Sequence, residues 1–88
     1  MEVQRVTLHA AYAASLRDPS VRDIVRACAE ETAEHQGVAT PSVEIHDDRV
    51  ELSAPLPQTV LVVLAAELRR ATGRWHRAKF GAPLWQGE

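Results

Sequence analysis

Three groups of residues in this chain have the types and spacing to do chemistry. Cys28, Glu31 and His35 stand at i, i+3 and i+7, which lines a thiol, a carboxylate and an imidazole along one side of a helix. Zinc accepts those donor types, but a site needs three or four converging ligands, and no second cysteine or close histidine pair joins these residues. The same spacing describes a small buried thiol with two polar residues at the rim of a core, and that reading is adopted. As a nucleophile Cys28 would need a setting that favours its thiolate, whereas it falls in the middle of an apolar stripe with acids close in sequence.

Glu44 and Glu51 form the second group. In a hairpin turning at Asp47 and Asp48 they face each other across the strands, and paired carboxylates do general acid and base work when one of them has a raised pKa. On a water-facing surface they only repel each other slightly, and His46 beside two aspartates reads as turn chemistry. No glycine-rich phosphate loop, nucleophile elbow or metalloprotease helix motif occurs. The expectation is a protein without catalysis, cofactor or metal.

The third group is the segment "TGRWHRAKFGAPLWQGE", which holds both tryptophans, the only phenylalanine and the only lysine. Arg69, Arg70, Arg74, His76, Arg77 and Lys79 surround Trp75 and precede Phe80, a mix of cations and stacking surfaces that resembles the one used for single-stranded nucleic acid. Five positive charges neutralise few phosphates, however, and the acidic remainder of the chain opposes a polyanion. Continuation of a helix past Gly73 offers a competing account, because it brings Trp75 near the azimuth of Leu64 and Leu68 and makes it core. Residues 81–88 form a strap whose Leu84 and Trp85 must pack on their own chain, exchange with a second copy, or anchor in a partner.

The elements that position these groups can be read from periodicity. Leu8, Ala11, Tyr12 and Leu16 have helical spacing among alanines, which predicts a first helix over about residues 7 to 17. Asp18 then caps a second helix with Pro19 at its first position and Gly37 as its stop. Val21, Ile24, Val25, Cys28 and Thr32 share its apolar face. "SVEIHDDRVELSA" alternates as a hairpin, with Ile45 facing Val50, Glu44 facing Glu51 and Val43 facing Leu52. "PLPQTVLVVLAAELRRATG" reads as a long third helix ending at Gly73, apolar nearly all round its first turns through Val60, Val62 and Val63.

The fold class expected is α+β: residues 1–88 as one small domain of two helices, a β-hairpin, a long C-terminal helix and an extended tail. A two-stranded hairpin is marginal alone, so the alternative is a ferredoxin-like βαββα arrangement with residues 2–8 as a third strand. At 88 residues, with 45% hydrophobic and 25% charged residues, the chain can form a core and is not of disordered composition. Residues 1–56 carry ten acids and five bases, residues 57–88 two acids and five bases, so the basic region is confined to the C-terminal third. A lone cysteine and the lack of a signal-like or membrane-length apolar run lead to an expected cytoplasmic location and no membrane.

The function expected first is a small non-catalytic interaction or regulatory protein, a homodimer or one bound to a protein partner. Its contacts would come from Val60, Val62, Val63, Phe80, Leu84 and Trp85. The second expectation is a nucleic-acid-binding regulator that uses Arg70, Arg74, Trp75, Arg77 and Lys79, and the third an accessory subunit of a larger enzyme complex.

Overall fold

A computed structural model describes residues 2–88 and gives the α+β class, with the elements in nearly the expected order. Strand β1 spans Gln4–His9, helix α1 Pro19–Gln36, strand β2 Ser42–Ile45, strand β3 Arg49–Ala54 and helix α2 Gln58–Phe80. The three strands form one antiparallel sheet in the order β1-β3-β2. This is the βαββα alternative, and the helix expected over residues 7 to 17 is corrected. Its start is strand, paired Val6 to Leu52 and Leu8 to Val50, and its end is a single 3-10 turn, Ser15–Arg17. The physical reason is the open edge of β3: pairing six residues of β1 satisfies the backbone groups of both strands, which outweighs the weak local helix preference of an alanine-rich segment.

The local signals for α1 operate as the residues suggest. Asp18 accepts from the backbone N–H of Ser20 at 2.9 Å and from its hydroxyl at 2.8 Å, Pro19 opens the helix, and Gly37 closes it at φ 73°. The hairpin register is the one its turn dictates, Ile45 opposite Val50, Glu44 opposite Glu51 and Val43 opposite Leu52. Val6, Leu8, Val43, Ile45, Val50 and Leu52 thus share one face of the sheet. Both helices cover that face, joining it to a core with Leu16, Val21, Val25, Ala29, Leu61, Leu68, Leu84 and Trp85. The opposite face carries Arg5, Thr7, His9, Glu44, Arg49 and Glu51, and no element among the described residues covers it.

Helix α2 does not stop at Gly73. It runs through to Phe80 and ends on Gly81 at φ 70°. At Gly73 the carboxylate of Glu88 lies where a Cβ would stand, so the last residue of the strap rests on the bare helix backbone.

The strap packs in cis. Ala11 donates its N–H to Leu84 O at 2.8 Å and Gln86 donates to His9 O at 2.9 Å, so residues 84–86 lie antiparallel against the far edge of β1. Leu84 and Trp85 are fully buried, and the Trp85 indole N–H donates to Thr72 Oγ1 at 2.9 Å. Their expected place in an interface is corrected on this ground: both are core, filling the space beside an edge that three strands leave open. Burying side chains of this size is worth about 3 kcal/mol each.

Candidate functional site

The last three turns of α2 carry the exposed cations. Arg70, Arg74 and Arg77 recur at i, i+4 and i+7, which puts them on one stripe, and all three are exposed. Lys79 lies across the helix from that stripe, with its ammonium 5.3 Å from the centre of the Trp75 ring and 5.7 Å from that of Phe80. Trp75 is half-buried and packs against the core, as helical continuation predicts, yet part of its ring stays at the surface beneath Lys79. Phe80 meets Trp75 edge-on at 6.0 Å between centroids and lies 4.7 Å from His76.

His76 is buried and held in place. Its Nδ1 lies 2.7 Å from the carbonyl of Ala82, and since a carbonyl only accepts, Nδ1 carries the proton. This bond ties the end of α2 to the start of the strap. Around it lies a concavity of about 310 Å³ walled by Tyr12, Val21, His76, Phe80 and Ala82, with Asp18 at its margin. Tyr12 is 59% exposed and Phe80 45%, so two aromatic faces stand open at this concavity. Arg77 is 3.6 Å from Glu88, the one carboxylate that reaches this stripe among the described residues.

Tyr12 was not identifiable as part of this surface from the sequence. Its helical spacing with Leu8 and Leu16 assigns it to a core that the strand β1 removes, and only the return of the strap brings it opposite Phe80. Val62 and Val63, expected at an interface, are about half-exposed on the early turns of α2, and Val60 is half-buried.

The open face of the sheet holds a second cluster. Glu44 and Glu51 are cross-strand neighbours there, and His46 leans between them, its Nε2 3.6 Å from Glu51 and 3.9 Å from Glu44. Arg49 donates from Nε to the other oxygen of Glu51 at 3.4 Å and from Nη1 to Asp48 at 2.9 Å. Burial works to raise the Glu51 carboxyl, but the hydrogen bond from Arg49 and the charges around it prevail and hold it below the ordinary carboxylate value.

Cys28, Glu31 and His35 border a groove of about 320 Å³ between the helices, together with Glu67. Glu67 takes both the Gln36 amide, at 2.5 Å, and the His35 ring, at 3.6 Å. Burial and the charge of Glu31 push the Cys28 thiol up, the opposite of what a nucleophile needs.

No protein-family model matches this chain, and no curated protein matches it in sequence. Among solved structures it is similar to one from Deinococcus radiodurans R1 named a "putative transposase", with a TM-score of 0.71 and 21% identity over 99% of this chain and 74% of that one. The likeness is one of fold. It corrects the first expectation for function: the neighbour is named for an enzyme that acts in transposition, not for a non-catalytic regulator that works through homo-oligomers, and that expectation is withdrawn.

Proposed function

We propose that this chain is a DNA-binding domain that holds a single strand along the end of α2. The observation that carries the reading is the cluster at the end of α2, where Lys79 lies over Trp75 and Phe80 and the open faces of Phe80 and Tyr12 share one concavity, with the Arg70, Arg74 and Arg77 stripe exposed on the outer side of the same helix. Arginines track phosphates while aromatic faces stack unpaired bases, and each stacked base is worth about 1–3 kcal/mol. The likeness to a protein named as a transposase supports DNA as the polymer.

Part of the acidic remainder stands away from this surface, although the net charge of the chain is −2. Glu44, Asp47, Asp48 and Glu51 lie on the hairpin, and Glu44 and Glu51 on the sheet face turned away from the helices. At a Debye length of about 8 Å in physiological salt, charges so placed are largely screened from a strand on α2.

The test is a titration of short single-stranded DNA at several salt concentrations. Three to four phosphate contacts give a slope of log K against log salt of about −2 to −3, and Arg74→Ala with Arg77→Ala reduces its size by about 1.4. Binding that ignores salt, or that the double variant leaves unchanged, contradicts the proposal.

A further inference from the structure

The open sheet face carries an arrangement that strand binding on α2 does not use. We propose that Glu44, His46 and Glu51 bind a divalent transition-metal cation of the zinc class. The donor atoms of the three residues lie within 4.8 Å of one another. His46 Nε2 is shielded from water and has no hydrogen-bond partner, although the rest of the ring is partly exposed. A buried imidazole nitrogen left without a partner is costly, and native structures nearly always satisfy such atoms.

The distances favour an ion over direct hydrogen bonds. Separations of 3.6 Å and 3.9 Å from Nε2 to the two carboxylates exceed hydrogen-bond length. They lie near the edge of a tetrahedron built on metal bonds of about 2.0–2.1 Å, which is about 3.4 Å, so small side-chain rotations close the site. Imidazole nitrogen with carboxylate oxygens is a donor set that suits zinc and its neighbours better than calcium or magnesium.

The backbone fixes where these donors can be. Glu44 and Glu51 are opposed by strand register, and the His46 N–H donates to Arg49 O at 2.8 Å, which closes the turn. Two carboxylates placed directly opposite repel, and a cation between them turns that repulsion into binding. Arg49 competes for Glu51, but it occupies Oε1 and leaves Oε2 facing His46, while Asp48 draws the other end of its guanidinium away. Arg49 therefore positions the Glu51 carboxylate in the way that a partner behind a metal ligand does. Three protein donors leave a further position for water or for an oxygen of a bound anion.

The experiment is titration of the full chain with zinc chloride, followed by calorimetry and by nitrogen-detected spectra of the four histidines. The expected result is one ion per chain, with the His46 Nε2 resonance moving most. His46→Ala and, separately, Glu44→Gln weaken binding at least tenfold, and Glu34→Gln on α1 leaves it unchanged. Circular dichroism of each variant verifies the fold, and Glu44→Gln, on an exposed side chain, keeps the test open if His46→Ala unfolds. Zinc that leaves the His46 signals unmoved at millimolar concentration overturns the proposal. So does zinc bound equally well by His46→Ala, which places the ion elsewhere, as between His35 and Glu67. Neither result bears on strand binding by α2, which is measured separately.

Discussion

Trp75 and Trp85 are ten residues apart and do opposite things. Trp85 is 1% exposed, its indole N–H is spent on Thr72, and its backbone N–H donates to Glu88 at 2.7 Å. Trp75 is half-buried against the core and lies under Lys79. The strap tryptophan is sealed inside the fold, and the helix tryptophan packs against the core with part of its ring left at the surface. What separates them is position: Trp85 falls where the chain returns to the edge of β1 and fills that slot with Leu84, whereas Trp75 is carried at the margin between the core and the free side of a helix.

The sharpest way to break this comparison is to remove each ring in turn. Trp85→Ala leaves a cavity in the core and is expected to lower unfolding free energy by about 3–5 kcal/mol, measured by chemical denaturation. Trp75→Ala should cost clearly less stability, while it lowers affinity for single-stranded DNA by about 1–3 kcal/mol. Equal losses of stability would show that the two rings have the same structural role.

Thr72 supplies a smaller and more specific test. Its hydroxyl donates to Leu68 O at 2.6 Å and accepts from Trp85, so Thr72→Val keeps the shape of the side chain and strands the indole N–H. The expected loss is about 1–3 kcal/mol with no change in DNA affinity. A change in affinity would mean that the strap takes part in binding.

These tests also show what was legible in the residues. The hairpin register followed from a side-chain period of two and a fixed turn, and α1 followed from Asp18, Pro19 and Gly37, all of them local signals. Strand β1 was obscured because Leu8, Ala11, Tyr12 and Leu16 mimic a helix, and its real partner is some forty residues away in β3. The destination of Leu84 and Trp85 depended on that strand, since the slot they fill exists only once β1 has paired. Arg70, Arg74, Arg77 and Lys79 were visible as a basic run, but Tyr12 joined them only through the tertiary fold. Glu44 opposite Glu51 was legible, whereas the placing of His46 between them is a matter of how the turn bends.

The smallest effect concerns acid. The Ser20 hydroxyl, and after it the Ser20 N–H, hold the Asp18 carboxyl below its ordinary value of 3.8. A carboxyl with a depressed value in the folded state stabilises fully above its unfolded value, and that contribution fades as pH falls through the folded one. Stability measured downward from pH 5 should therefore fall less steeply in Asp18→Asn than in the parent chain. Identical pH profiles would remove Asp18 from the account of how α1 begins.

The most direct test of the central claim uses the two tryptophans as reporters. In Trp85→Phe the only indole left is Trp75, and in Trp75→Phe the only one left is Trp85. Added single-stranded DNA should quench the fluorescence of the first protein along a saturable, salt-sensitive curve and leave that of the second nearly unchanged. Quenching of Trp85 alone, or of neither indole at low salt, would contradict a strand-binding surface at the end of α2.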